Sequence, residues 1–225
     1  MTIVSIKTGT EAELKRIELS DGSLFLLRTC YLTGSPVDGP DRGDAGGLSE
    51  GEEISAAGEE ALRFAAACLR AERSALRLVT RAEQTERGLS LKLARRGFDS
   101  VCVSAVLGRL AELGVVDDRR FAGLWVQARL SRRAESPRRL LAGLRGRGIG
   151  REAAETALKS VLNFQNESAL LRGYVEKLRP VPGGGSTDAG GRGTDAGGGQ
   201  SLKYRLKSEG FSSSVIQDYW EEREW

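Results

Sequence analysis

The chain has 225 residues, 40% of them apolar, which is enough for the core of one or two domains. It contains no histidine, which excludes a Ser-His-Asp hydrolase and a histidine-ligated zinc site. Its three cysteines are far apart and lack CxxC spacing, which argues against a disulfide scaffold or a zinc ribbon and indicates a reducing cytosol. The net charge of +3 is a cancellation, because residues 1–62 carry −7, residues 63–151 carry +12 and residues 152–225 carry −2.

The first predicted element is a small β unit over residues 1–33. Short apolar or alternating runs at 3–6, 15–19 and 23–27 are typical of strands, and Ser20-Asp21-Gly22 is a hairpin signal. Acidic residues precede position 15 and no apolar run approaches about 18 residues, so we expect neither a signal peptide nor a membrane span.

Two glycine-rich segments predict flexible linkers, at 34–54 and at 183–199, where TDAGG occurs twice. The stretches 34–51 and 183–199 together hold 15 of the 29 glycines. Such chains bury too little apolar surface to offset the loss of backbone entropy on folding.

An internal repeat dominates the rest of the chain. The segments LSLKLARRGF (89–98), LLAGLRGRGI (140–149) and LKYRLKSEGF (202–211) each place leucine eight and four residues before a glycine and a large apolar residue after it. Leucines four apart share one helix face, and a glycine just past the helix adopts the positive φ of a Schellman turn. The turn packs the apolar residue against the nearer leucine. The nearer leucine, the glycine and the apolar residue of the three repeats are Leu93, Gly97 and Phe98; Leu144, Gly148 and Ile149; and Leu206, Gly210 and Phe211.

Each repeat predicts the middle helix of a three-helix module, with one helix before it and one after. The preceding helices are predicted at Ala71–Arg81, Asp118–Arg133 and Glu167–Arg179. We therefore predict a mainly α protein of three tandem modules, at 55–116, 117–163 and 164–225, the third interrupted by 183–199. Such modules stack into an elongated, curved body. Gly88, Gly143 and Gly146 fall inside the short helices, each at a cost of about 1 kcal/mol relative to Ala.

The segment LGVVDDRRFAGLWVQAR (113–129) resembles the signature of the RecX family of RecA regulators. The resemblance covers roughly 55–179 and, more weakly, 200–222. It implies three tandem three-helix modules, often after a small β-containing region. The residues at matching positions are Gly114, Asp117, Asp118, Phe121, Ala122, Trp125, Val126 and Arg129.

Several of these motif residues have a structural interpretation that competes with a functional one. Phe121 and Trp125, four apart, fit a module core, although Trp125 could also present its indole edge to a partner. Asp117 and Asp118 fit a helix N-cap with favourable dipole interaction, against a role in partner contact. Two adjacent carboxylates without further ligands do not predict a metal site.

Basic residues recur on and beside the short helices. One interpretation is a set of solvated helix faces; the other is a positive surface for DNA phosphates or for the acidic groove of a nucleoprotein filament. Aromatic residues are sparse in this basic zone, which argues against base stacking as the main mode. The candidate contact residues are Arg87, Lys92, Arg95, Arg96, Arg129, Arg132, Arg133, Arg138, Arg139, Arg145 and Arg147, with Lys203, Arg205 and Lys207 on the third short helix.

The resemblance implies a non-enzymatic protein that binds RecA or its filament on single-stranded DNA and inhibits ATP hydrolysis and strand exchange in recombinational repair. It predicts RecA as partner, with single- or double-stranded DNA as a possible second one, and no membrane. We expect a cytoplasmic monomer without catalytic residues, cofactor or metal, since histidine, a paired-carboxylate cleft and a phosphate loop are all missing from the sequence. The alternative is a stand-alone basic helical protein that binds nucleic acid.

Overall fold

The computed structural model describes residues 1–32, 48–178 and 195–222, with side chains except at 164, 165 and 195–200. In these ranges the strands are β1 (Ile3–Thr8), β2 (Leu14–Leu19) and β3 (Leu24–Arg28), followed by a 3₁₀ turn at Thr29–Tyr31. The helices are α1 (Ala56–Val79), α2 (Glu86–Ala94), α3 (Ser100–Glu112), α4 (Asp118–Leu130), α5 (Pro137–Gly146), α6 (Arg151–Val161), α7 (Phe164–Leu178), α8 (Asp195–Ser208) and α9 (Ser213–Glu221).

The predicted fold class is confirmed: the described chain is mainly helical with a small N-terminal sheet. It forms two compact units, Met1–Asp117 and Asp118–Trp225. The sheet is antiparallel in the order β1-β2-β3, and one row across it pairs Ile6 with Ile17 and Ile17 with Phe25. The inner face of the sheet contributes to the same apolar core as α1 and α3.

A buried carboxylate joins the sheet to the helices of the first unit. Glu72, on α1, is 3% exposed and accepts hydrogen bonds from the Tyr31 hydroxyl at 2.8 Å and from Arg28 Nε at 3.0 Å. Arg28 also pairs with Glu11, and Arg109 on α3 reaches Glu13 at 2.5 Å. A buried charge is tolerated only when it is paired and hydrogen-bonded, so this network fixes how the sheet sits on α1 and α3.

The structure does not describe residues 33–47 and 179–194, and most of the two predicted linkers falls in these ranges. The described end of the first one runs beside β1: the Ile3 N–H donates to the Glu52 carbonyl at 2.9 Å, and Ile54 is buried. At the second, α8 already begins at Asp195. These contacts follow from backbone pairing with β1 and from helix extension, neither of which a composition signal can detect.

The helices group into three sets of three, as the repeat predicts, which we name module 1 (α1–α3), module 2 (α4–α6) and module 3 (α7–α9). Each module has its own cluster of buried apolar side chains, and the cluster of module 1 includes the inner face of the sheet. The first helix of module 1 is longer than the predicted Ala71–Arg81, because Ser55 caps a continuous helix by accepting the Gly58 N–H. The buried repeat leucines are Leu89, Leu93, Leu140, Leu144 and Leu206.

Each short helix ends in the predicted Schellman turn. At the end of α2, the Phe98 N–H donates to the Leu93 carbonyl at 3.3 Å and the Gly97 N–H donates to the Ala94 carbonyl at 2.9 Å. This is the 6→1 and 5→2 pairing that satisfies the last carbonyls of a helix. The same two bonds recur around Gly148 and Gly210, and φ at the three glycines is +82°, +90° and +88°.

The same device also ends α3, which the repeat does not reveal. Gly114 has a φ of +66°, the Val115 N–H donates to the Leu110 carbonyl at 2.9 Å, and Val116 is buried. Leu110 stands four residues before this glycine, as in the repeat. The turn therefore ends α3 shortly before Asp118, where α4 begins.

Modules 2 and 3 meet through the ends of two helices. The backbone N–H of Arg138, in the first turn of α5, donates to the Glu209 carbonyl at 2.9 Å, and the Ser136 hydroxyl donates to the Glu209 carboxylate at 2.5 Å. Gly210 packs beside Pro137, so a Cβ there would lie 3.4 Å from the proline Cβ. The C-terminal end of α8 thus caps the N-terminal end of α5.

Two glycines near the end of α5 should respond oppositely to alanine. Gly148→Ala puts a side chain at a φ of +90° and should lower the free energy of unfolding by about 1–2 kcal/mol. Gly146→Ala, inside the helix and facing open space, should raise it by up to about 1 kcal/mol. Urea unfolding of both variants tests this; equal effects at the two positions would contradict the turn.

Tyr31 should make stability fall in alkali. Burial and the hydrogen bond to Glu72 raise the pKa of Tyr31. The contribution of Tyr31 to the free energy of unfolding is therefore complete below pH ~10, the pKa of an unfolded tyrosine. It is lost as the pH rises above that value. We expect Tyr31→Phe to flatten this decline in urea unfolding between pH 9 and 11, whereas Tyr204→Phe, at a tyrosine that is 78% exposed, keeps the wild-type slope.

Candidate functional site

A basic groove lies on module 1, between the second half of α1 and the turn after α2. Arg70, Arg73 and Arg77 follow each other at helical spacing along α1. Arg96 and Phe98 close the opposite side, and the groove has a volume of 810 Å³. Ser74 and Leu76 complete the described lining, which contains no acidic side chain. We call this the module-1 groove.

The α1 arginines of the groove keep their charge uncompensated. Arg70, Arg73 and Arg77 are exposed and form no ion pair with any residue in the described ranges, whereas Arg63 on the same helix pairs with Glu59. Arg96 is held in place, because its guanidinium donates to the backbone carbonyl of buried Ser74 at 3.4 Å and to its hydroxyl. Four guanidinium groups around one concave surface favour an anionic ligand with several phosphates or carboxylates.

Three of these four arginines were missed by the sequence analysis, which searched the repeated short helices. Arg70, Arg73 and Arg77 stand on the helix before the first repeat, and their three- and four-residue spacing was the available signal. The predicted α2 residues Arg87, Lys92 and Arg95 are exposed, and Lys92 Nζ donates to Gln84 Oε1 at 2.6 Å.

Two arginines of module 2 pack on the Trp125 ring. The half-buried ring has the Arg129 guanidinium 5.3 Å from the ring centroid and the Arg147 guanidinium 4.7 Å from it. Arg147 also donates to the Gly143 carbonyl at 2.9 Å. Gly143 gives the ring its space, since a Cβ there would lie 2.5 Å from the Trp125 Cη2. This glycine, predicted only as a cost to α5, is therefore required by packing between α4 and α5.

Arg129 is bound within module 2. Its guanidinium pairs at 3.1 Å with Glu135, whose side chain is 5% exposed. An arginine that neutralises a buried carboxylate and stacks on a ring is less available to a ligand than a solvated one. Its role as a partner contact stays a prediction.

The other predicted residues of module 2 lie in its core, at the start of α4 or on its surface. Phe121 packs against the module core, and α4 begins at Asp118, which leaves Asp117 at the N-cap position. Five further predicted basic residues are exposed: Arg132 and Arg133 after α4, and Arg138, Arg139 and Arg145 on α5.

Neither a membrane helix nor a metal cluster is found in the described ranges. None of their helices combines the length and apolar composition needed to cross a bilayer. No three acidic or thiol side chains there converge as metal ligands would.

Comparison with known proteins agrees with the module architecture. Residues 117–158, which span most of module 2, match the family model described as "RecX, second three-helix domain". A Regulatory protein RecX of Treponema pallidum (strain Nichols) is 38% identical over 119 residues, which cover 53% of this chain and 73% of that protein. The chain belongs to the RecX family. Another RecX relative, from Mycobacterium tuberculosis (strain H37Rv), is 38% identical over 103 residues, covering 46% of this chain and 56% of the relative.

Solved RecX structures share the fold. A crystal structure of regulatory protein RecX superposes with a TM-score of 0.63 at 20% identity, over 96% of this chain and 98% of that one. RecX from Lactobacillus salivarius gives a TM-score of 0.52 at 17% identity, over 69% and 96% of the two chains. Of the signature residues, those from Asp117 to Arg129 lie within the segment that the family model matches, and Gly114 precedes it.

Gly143→Ala should displace the Trp125 ring. The added methyl overlaps the indole, so we expect a loss of about 1–3 kcal/mol in the free energy of unfolding and a shift of the tryptophan emission. Gly123→Ala, on α4 with no atom near its Cβ, is the control that should not destabilise. Normal stability and emission in Gly143→Ala would contradict the packing of Trp125 on α5.

Proposed function

We propose that this RecX protein is a non-enzymatic negative regulator of the RecA recombinase. It binds RecA filaments on single-stranded DNA and damps their ATP hydrolysis and strand exchange during recombinational repair. Membership of the RecX family carries the proposal, through the 38% identity over 73% of a RecX relative.

The charges of module 1 support a role at a nucleoprotein filament. Such a filament exposes DNA phosphates and protein carboxylates, and the module-1 groove offers Arg70, Arg73, Arg77 and Arg96 without an acidic residue among its described lining. Contacts of this kind are electrostatic and weaken as salt increases. We also propose that the protein acts as a cytoplasmic monomer.

A stand-alone nucleic-acid-binding protein is the second candidate, and the same groove favours it. In that case the arginines meet DNA directly and RecA is not needed. The two candidates differ in one measurable property, which is whether RecA activity responds to the protein at a fixed amount of free DNA.

The first expected result is inhibition of RecA. Purified protein, added at stoichiometric ratio to RecA on single-stranded DNA, should lower its DNA-dependent ATPase and its strand exchange. A DNA excess that leaves the inhibition unchanged would exclude simple competition for DNA. Unaltered ATPase and strand exchange would overturn the RecA proposal and leave the second candidate.

Charge reversal in the module-1 groove should weaken binding to the filament and to DNA. Arg70→Glu with Arg77→Glu removes two of the uncompensated guanidinium groups, so we expect roughly tenfold weaker binding at low salt and a smaller salt dependence. The matched control is Lys7→Glu with Arg16→Glu, an exposed pair on the sheet with the same change in charge.

The outcomes of this comparison separate the roles of the groove. Loss of DNA binding with retained RecA inhibition would make the DNA contact incidental. Loss of both, with a normal control, supports the groove as the filament contact. Equal effects of the two double variants would show that net charge, and not the groove, is responsible.

A further inference from the structure

Module 3 carries a second concave surface, and two of the predicted basic residues, Lys203 and Lys207, line it. It has a volume of 590 Å³ and lies between α8 and α9. The residues from α8 are Lys203, Tyr204 and Lys207; those from α9 are Ser213, Ile216, Gln217, Trp220 and Glu221. We call it the module-3 pocket.

Tyr204 is not explained by the packing of the module. Its neighbours Leu202 and Leu206 face the core of module 3, whereas Tyr204 is 78% exposed. Lys203 and Lys207 stand four apart on α8, and Tyr204 lies within one turn of both. An exposed aromatic ring between two lysines on a concave surface is typical of a ligand site.

The opposite wall supplies a second aromatic ring. Trp220 is half-buried, packs edge-on against Tyr219 with ring centroids 5.2 Å apart, and has the Lys203 ammonium 5.0 Å from its centroid. Tyr219 fixes the position of this ring, since it is itself buried in the core. The pocket therefore combines a fixed aromatic ring, an exposed aromatic ring and two cations.

We propose that the module-3 pocket binds an unpaired segment of single-stranded nucleic acid. An exposed aromatic face such as that of Tyr204 stacks on bases of any sequence, and the lysines beside it, Lys203 and Lys207, contact the backbone phosphates. A duplex keeps its bases stacked inside and cannot offer them to Tyr204. An acidic peptide would use the lysines but would leave the aromatic rings without a role, so the nucleobase is the better occupant. Glu221, which also lines the pocket, accepts a hydrogen bond from Gln217 at 2.8 Å.

This site does not depend on the proposed action on RecA. It lies in the second compact unit, and the experiment below contains no RecA. The RecA proposal can fail while the pocket binds single strands, and the reverse also holds.

The test measures how far binding depends on bases. Fluorescence anisotropy is recorded with an oligo-dT and with an abasic oligonucleotide of the same length, which keeps the phosphates and lacks the bases. The wild type and Tyr204→Phe should bind oligo-dT about tenfold more tightly than the abasic strand. Tyr204→Leu, which keeps an apolar side chain without a ring, should lose most of that preference.

Lysine variants separate the phosphate contact from stacking. Lys203→Gln should weaken binding to both oligonucleotides, whereas Lys159→Gln, an exposed lysine on α6 in the same unit, should change neither. Thermal unfolding followed by circular dichroism shows that the variants are folded.

Two results would overturn the proposal. One is a wild type that binds the abasic strand as tightly as oligo-dT; the other is a base preference that persists in Tyr204→Leu. Photocrosslinking of the wild type to an iodouracil-containing strand gives an independent measurement, which requires no variant. Crosslinks at Tyr204 or Trp220 support the pocket, and crosslinks confined to other modules contradict it.

Discussion

The left-handed glycine that ends each short helix is the constraint on which the modules depend. At Gly97, Gly148 and Gly210 the backbone reverses within two residues, and the next apolar side chain turns back onto the leucine that begins the last helical turn. A side chain at these positions would strain the backbone, so the direction of the following helix is fixed by the absence of a Cβ. Because the turn also satisfies the final carbonyls, the polar and apolar requirements of the helix end are met together.

Local periodicity and the glycine spacing were sufficient to predict the helices, the three modules and the leucines of their cores. They were insufficient wherever an interaction joins segments far apart in the chain. Glu72 is the clearest case: it looks like one more surface residue of a helix, yet it lies buried between Tyr31 and Arg28, which precede it by 41 and 44 residues. Similarly, the glycine at 143 is explained only by the Trp125 ring, which occupies the space that a Cβ would need.

Of the predicted basic residues, Arg96 alone belongs to the described lining of the module-1 groove, and their role as contacts stays a prediction. Charge counting singled out the basic middle of the chain, but it could not distinguish arginines that are solvated from those that have partners. Arg129 and Arg147 flank Trp125, and Arg129 also neutralises Glu135, whereas Arg70, Arg73 and Arg77 have no such counter-charge among the described residues. Arginine content is thus a poor guide to binding unless the acidic and aromatic neighbours in space are known.

The contact between the ends of α5 and α8 has a consequence for synthesis on the ribosome. Ser136 emerges 73 residues before Glu209, whose carboxylate and carbonyl complete the hydrogen bonding at the start of α5. Until Glu209 is synthesised, the Arg138 N–H and the Ser136 hydroxyl lack these two partners, so the hydrogen bonding of module 2 is incomplete. The unit at 1–117 is synthesised earlier and can fold first. Nascent chains that stop short of Glu209 therefore lack the groups that complete the first turn of α5.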